Sequence, residues 1–288
     1  MNYSALIQNR KSVREFTEEQ VPFGTLEVLK NYYLESVRRL VPEVETELSF
    51  FGTATREALE GAAGYNDFLV GAPQYLVLMS QKHPLEKLNA GYIMEDMILK
   101  AADLGLDSCW LSFKDSEQIK QALGIESDMD VAAIAAFGFG KKTVRRLRLN
   151  LLSMSNVDIT AKHRYMEPKR GVHDLAHLNT WGQREGLDSY IGFYEDMLWE
   201  ALYAASLAPS YLNRQAYGFV LHDGGVSVVR MPDQYTTEPD GQLSLGAAML
   251  HFGAVAENWA GKLQWRFDGN GDGLALPEGH RVVAHCNL

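Results

Sequence analysis

The chain has 288 residues, 46% apolar and 22% charged, a composition that excludes disorder and collagen-like repeats and leaves room for one large core or two modest ones. Its longest stretch free of charged or strongly polar residues, Val131 to Gly140, is about half the roughly 20 residues that a membrane helix needs. With 27 basic against 37 acidic side chains, the net charge of −10 argues against a broad nucleic-acid or anionic-membrane surface, so any phosphate must be met by a local cluster.

The first helical signal runs from Thr25 to Leu40, where Leu26, Leu29, Tyr33, Val37 and Leu40 recur at three- and four-residue steps. A mixed segment, Pro42 to Asp67, follows, and then Tyr75 to Met79 reads as a buried strand. Asn89 to Leu104 is the second strong helix, with Gly105 placed for a left-handed cap. Extended structure resumes at Cys109-Trp110-Leu111, Ser116 to Leu123 makes a short helix, and Val131 to Phe139 is the most apolar strand. Beyond Gly140, five of the eight residues from Lys141 to Arg148 are basic, and the polar, weakly periodic stretch to about Gly186 reads as a connection. Helical periodicity returns over Ile191 to Leu207 and stops at Pro209; the strands Tyr217 to His222 and Val226 to Arg230 then flank the turn Asp223-Gly224-Gly225. A helix from Leu243 to Trp259 and two strands, Lys262 to Phe267 and Arg281 to His285, complete the chain.

One internal comparison is informative. An offset of 155 positions pairs Gly91 with Gly246, Met94 with Met249, Ala101 with Ala256 and Trp110 with Trp265, which suggests two halves of similar plan, although two amphipathic helices also share such positions by chance. Cys109 and Cys286 are the only cysteines and form no CxxC pair, so both are read as free thiols. No charged-then-apolar leader opens the sequence, and a cytoplasmic protein is expected.

Two segments stand out chemically. Arg10-Lys11-Ser12-Val13-Arg14 concentrates three cations and a hydroxyl, which suits an anion through charge-assisted hydrogen bonds; a solvated basic face is the alternative. Ala208-Pro209-Ser210-Tyr211-Leu212-Asn213-Arg214-Gln215 follows a helix, and its serine, asparagine and glutamine suit the amide and imide edge of a planar heterocycle; a helix stop followed by a plain polar loop is the alternative.

Taken together, RKSVREF at 10–16, APSYLNRQ at 208–215 and the NAGY…LGLDSCW stretch at 89–110 resemble the FMN-dependent nitroreductase family. Its usual homodimer builds each flavin site from RxSxR of one subunit and PSxxNxQ of the other. Here each half carries only one of the two elements, so the sequence is most similar to a tandem-repeat branch in which a single chain imitates the dimer.

The resemblance implies an α+β nitroreductase-like fold of two fused repeats, each a mainly antiparallel sheet flanked by helices: residues 1–150, a connection at 151–186, and 187–288, intertwined as one unit. It implies one FMN per chain, NADH or NADPH as electron donor, a small electron-poor acceptor of nitroaromatic or quinone type, and a monomer. Arg10 and Ser12 would contact the flavin phosphate and ribityl chain, with Lys11 nearby and Lys142 or Arg145 as further phosphate contacts. Arg14 would face the pyrimidine edge and stabilise charge developing at N1 and O2. Pro209, Ser210, Asn213 and Gln215 would line the ring, and the Ser112 backbone N–H would approach N5. Two rivals stand beside this reading: a flavin- or ligand-binding protein without efficient turnover, and an empty pseudo-dimer.

Other signals are set aside. Asp268 to Gly273 imitates a calcium loop but has Gly279 at its twelfth position and reads as a hairpin between terminal strands. Gly138 to Thr143 lacks the spacing of a phosphate loop. His163, His173 and His177 are expected in solvent and no metal site is expected; Met94, Met97, Trp110 and Trp265 are expected in the core.

Overall fold

The computed structural model describes residues 1–64, 68–141, 147–153, 156–161, 168–194, 196–222 and 224–288, with the backbone alone at 147–153 and 156–161. The first half contains α1 (Tyr3–Asn9), α2 (Phe23–Glu35), β1 (Thr46–Gly52), α3 (Arg56–Leu59), β2 (Ala63–Gly64), β3 (Gln74–Ser80), α4 (Glu86–Asp103), β4 (Asp107–Phe113), α5 (Ser116–Leu123) and β5 (Asp130–Gly138). A hairpin of β6 (Leu147–Ser153) and β7 (Asn156–Ala161) follows. The second half contains α6 (Val172–Leu175), β8 (Ala176–Leu178), α7 (Leu187–Phe193), α8 (Met197–Ser206), β9 (Tyr217–His222), β10 (Gly225–Arg230), α9 (Glu238–Ala260) and β11 (Arg281–Asn287).

Two sheets of related order result. One runs β1-β3-β5-β4-β2 and is antiparallel throughout; the other runs β11-β10-β9-β8 and is antiparallel except where β8 joins β9. The series β1, β3, β5, β4 corresponds in order to β9, β10, β11 and the Trp265 segment, which touches the sheet through one bridge, Arg266 to His285. A full strand over Lys262 to Phe267 is therefore not formed. The chain leaves the sheet at Asp268, where Asx turns hold Asn270 N on Asp268 Oδ1 and Asp272 N on Asn270 Oδ1.

Helices α4 and α9 form the centre of the molecule. A Cβ on Gly91 would lie 2.2 Å from the Leu243 carbonyl oxygen, and one on Gly246 would lie 2.1 Å from that of Leu88, so the two backbones touch where the internal offset places matched glycines. The largest apolar cluster is built from both halves: Ile7, Leu88, Tyr92 and Leu99 pack with Leu202, Phe219, Phe252 and Val255. Met94 and Met97 are fully buried, as expected for core residues.

Several boundaries differ from the sequence reading, each for a local reason. The α2 helix ends at Glu35, not Leu40, because the next backbone N–H groups are captured by α4: Arg38 N donates to Asp96 Oδ2 at 2.9 Å, and Leu40 N and Val41 N both donate to Asn89 Oδ1 at 3.0 Å. Asp96 also accepts the hydroxyls of Tyr3 at 2.8 Å and Tyr32 at 2.9 Å. The helix expected over Ile191 to Leu207 is two helices, since Asp196 adopts φ +64°, a left-handed conformation that aspartate tolerates and a helix does not. The segment Pro42 to Asp67 contains β1, and the chain start contains α1, capped by Asn2 Oδ1 accepting from Ala5 N.

Within the stretch read as a connection, residues 176–178 form a strand of the second sheet. His177 lies on that strand and is 4% exposed rather than solvated. Its Nδ1 accepts from Gly182 N, its ring lies 4.1 Å from that of Trp181, and burial, reinforced by Arg184 and Arg170, pushes its pKa down to about 4. His173 is exposed and pairs with Asp188, whereas His163 lies outside the described residues. Among the described residues no helix is long and apolar enough to cross a membrane.

Candidate functional site

The basic segment at the amino terminus leaves α1 at Arg10, whose extended backbone ends the helix, and is then laid against the first sheet. Ser12 bridges to Ser108, Val13 N donates to Ser108 O, Thr17 N donates to Phe139 O, and Lys141 N donates to Glu15 O, each N–H bond being 2.8 Å long. Val13 and Phe16 are buried as anchors. Lys11 and Arg14 consequently project outward and are exposed, while Ser12 is half-buried. Arg10 alone turns inward, its side chain 8% exposed.

The Arg10 guanidinium enters a charged cluster at the crossing of the central helices. Its Nε lies 3.3 Å from Glu95 Oε1, within ion-pair distance but not aligned for a hydrogen bond, and Nε and Nη1 are buried with no hydrogen-bond partner. Glu95 is fully buried; its Oε1 lies 2.9 Å from His251 Nε2, and its Oε2 accepts from Trp110 Nε1 at 2.8 Å. Burial by itself would raise the Glu95 pKa, but Arg10, His251 and Trp110 more than offset it and hold the carboxyl below its usual range. Trp110 is accordingly half-buried and directed at Glu95, where the sequence reading had a plain core residue; Trp265 is half-buried against Phe252.

A second cation reaches the cluster from the opposite side. Lys169 Nζ donates to the carbonyl of Ala208 at 2.7 Å. Its pKa falls to about 8, chiefly through burial and then through repulsion by Arg10, with Glu95 opposing. Lys169 thus bonds the first residue of the polar bend, while His251 Nδ1 lies 3.0 Å from the carbonyl of Ala204, in the last turn of α8 before it.

The bend has unusual backbone geometry. Leu212, Asn213 and Gln215 take φ of +47°, +56° and +46°, a left-handed conformation that non-glycine residues adopt at a cost and that clusters at ligand sites. It is held by Ser210 Oγ accepting from Gln215 N, by Ser244 Oγ accepting from Tyr211 N, and by Asn213 Nδ2 donating to Pro168 O, all at 3.1 Å. Pro209 and Ser210 are half-buried. Gln215, expected along a ring edge, is instead an internal brace: fully buried, it accepts from Arg170 N and donates to Ser206 O and Tyr217 Oη. Arg214 faces outward in a two-bond fork to Asp233 Oδ1.

The structure therefore brings Arg10 to the base of the bend and sets Ser12 beside it on the chain, with Lys11 and Arg14 on the outer face. Ser112 lies on the same side of β4 as Trp110, two residues along, and its hydroxyl donates to Gly64 O at 2.7 Å. Lys142 and Arg145 fall outside the described residues. Sequence reasoning missed Glu95, His251 and Lys169; the available signal was a carboxylate and a histidine standing within the buried stretches of the two central helices, where ionisable groups are rare unless paired.

Chemically, the cluster calls for an anion. A buried guanidinium with an unpartnered N–H, in the field of a second, half-buried cation, is costly unless an oxygen ligand completes it, and a phosphate has the charge and acceptor geometry required.

The sequence pattern of the family described as "Putative TM nitroreductase" matches residues 2–256. Among solved structures, one described as a "putative nitroreductase" from Thermotoga maritima is similar over 100% of this chain and 94% of its own, with TM-score 0.58 and 17% identity, a likeness that shows the fold. An FMN-dependent nitroreductase from Clostridium difficile covers 48% of this chain and 88% of its own at 20% identity and TM-score 0.42. A "Putative NADH dehydrogenase/NAD(P)H nitroreductase" from Bacteroides thetaiotaomicron covers 58% and 94% at 15% identity and TM-score 0.43. No curated protein matches the sequence. The architecture is a nitroreductase-like fold of antiparallel sheets flanked by helices, and the match over nearly the whole length places the chain in the "Putative TM nitroreductase" family.

Proposed function

We propose that this chain is an FMN-dependent oxidoreductase that takes electrons from NADH or NADPH and delivers them to a small electron-poor acceptor of nitroaromatic or quinone type. Family membership supports the general oxidoreductase role. The observation that carries the cofactor is the buried, unpartnered Arg10 N–H beside Lys169, at the point where the amino-terminal hook reaches the base of the bend.

In this reading Arg10 and Lys169 hold the phosphate, aided by Ser12, with Lys11 close by and Lys142 and Arg145 as further cations. The Ser112 backbone, Pro209, Ser210 and Asn213 border the ring, and Gln215 keeps the bend in shape from inside. Arg14 supplies positive charge toward the pyrimidine edge, where preorganised electrostatics favour a developing anion. When bound, FMN supplies the hydride chemistry; the chain binds, orients and sets the charge around it. Because both elements come from one chain, a monomer with one flavin is the proposed working form.

The test is the visible spectrum of purified or FMN-reconstituted protein, followed by anaerobic addition of NADH or NADPH. A yellow protein that bleaches within seconds is expected. One that stays oxidised for many minutes is a flavin-binding scaffold, and one that remains colourless after reconstitution contradicts the cofactor.

Lys169 makes the binding pH-dependent, because the phosphate requires the protonated amine. FMN affinity is expected to fall as pH rises through about 8, and Lys169→Met to flatten the profile after an initial loss of roughly tenfold. The contribution of Lys169 to the stability of the flavin-free protein moves the other way: from about pH 8 up to the ordinary lysine value of 10.5, the unfolded chain holds a proton there that the folded one does not, so this contribution rises, while the buried Cys286 thiol, pushed up to about 12, opposes it above about pH 9. Flavin titrations, and thermal melts of wild type against Lys169→Met at pH 7 and pH 9, measure the two opposite slopes.

A further inference from the structure

Glu95 and His251 face each other across the central helix crossing, both side chains 0% exposed, and the reading above gives neither a task. Both ring nitrogens of His251 face oxygen, Nδ1 toward the Ala204 carbonyl at 3.0 Å and Nε2 toward Glu95 Oε1 at 2.9 Å. The carbonyl has no hydrogen to offer, so Nδ1 carries one, and a further proton lies between Nε2 and the carboxyl. Whichever of the two atoms holds it, the pair sums to zero charge. An uncompensated carboxylate at this place would repel an incoming phosphate; a neutral pair does not.

The same pair is immobile. Trp110 Nε1 holds Oε2, His251 holds Oε1, and Ala204 holds His251 from behind. Arg10 Nε rests against this carboxyl at 3.3 Å, an ion-pair contact that keeps the guanidinium beside the pair, and its Nε and Nη1 are buried without a hydrogen-bond partner. A fork oriented in advance loses less side-chain freedom when it binds.

We propose that Glu95 and His251 are a positioning pair, one residue from each central helix, which holds the Arg10 fork in the orientation that receives the flavin phosphate without adding charge to the site. The proposal rests on the flavin reading above. It assigns no contact between either residue and the flavin; both act through Arg10.

The test compares FMN with riboflavin, which lacks the phosphate, by quenching of flavin fluorescence on protein stripped of bound flavin. Wild type is expected to prefer FMN by about 100-fold, the worth of two charge-assisted hydrogen bonds. Glu95→Gln should lower FMN affinity about tenfold and leave riboflavin within about twofold, so the preference itself shrinks. In an Arg10→Ala background, Glu95→Gln should lower FMN affinity no further, since the pair acts through that arginine. Should Glu95→Gln fail to fold, Trp110→Phe removes one strut and should shrink the preference about threefold. Equal losses for FMN and riboflavin, or an unchanged preference in a folded variant, overturn the positioning role while the flavin reading stands. A wild-type protein that binds neither flavin overturns the flavin reading and the pair with it; one that binds both alike overturns the phosphate site and the pair while flavin binding stands.

Discussion

Arg10→Ala protein is expected to purify without colour and to bind added FMN up to about 100-fold more weakly than wild type, because it loses a sheltered guanidinium whose bonds to phosphate contribute about 1.5 to 3 kcal/mol each. The fold should survive. Among the described residues the Arg10 side chain makes one ion pair, to the Glu95 carboxyl, and that carboxyl keeps His251 and Trp110. Arg10→Lys retains the charge but not the planar fork and should fall between the two. The ratio of flavin to protein absorbance after desalting measures all three, and full occupancy in Arg10→Ala would refute the site.

The second large effect concerns stability alone. Gly246→Ala should destabilise the protein by at least about 3 kcal/mol, a fall in Tm of roughly 6 to 12 °C, or prevent folding altogether. The new methyl would lie 2.1 Å from Leu88 O, 2.7 Å from Tyr92 N and 3.0 Å from Gly91 C, all backbone atoms of α4 that no rotamer change can move away. The helices would have to separate, loosening the cluster that both halves share. Gly253→Ala, two turns along α9, is the control: its nearest neighbour is the Tyr92 hydroxyl at 3.6 Å, an ordinary contact, and the change should be neutral to about 1 kcal/mol stabilising. Thermal melts of both variants decide it; equal Tm values would mean that the backbones do not meet there.

Much of the fold is readable in the sequence where one face of an element is continuously apolar. The strands around Val77, Ile134 and Val228 and the two central helices follow from periodicity alone, and Gly105 caps α4 at φ +80° as its position implies. What periodicity does not show is set by distant partners. Nothing local at Arg38 announces that Asp96 will capture its N–H and stop α2, and seven residues are too few for α1 to display a face. The edge strand β1 is half-buried and carries a weak alternation.

The site divides in the same way. Three clustered cations and a helix-stopping polar bend are visible as strings, but which cation turns inward depends on Val13 and Phe16 finding the sheet. Glu95 and His251 are 156 positions apart, and only the helix crossing makes them neighbours. Gln215 was visible as a residue type and misread in direction, since its amide is claimed by Arg170 and Ser206.

The knot around Asp96 has its own bearing on the molecule. Counting 155 positions on from Asp96 leads to His251, and from Asn89 to Ser244; Asn89 tethers the turn after α2 much as Ser244 tethers the bend after α8. Beside Glu95, therefore, a buried guanidinium keeps an unmet N–H, while one residue along α4 two phenols and a peptide N–H already satisfy Asp96. Two neighbouring acids of one helix thus meet opposite conditions: Asp96 is closed off by Tyr3 and Tyr32, whereas the arginine resting on Glu95 keeps a bond to give.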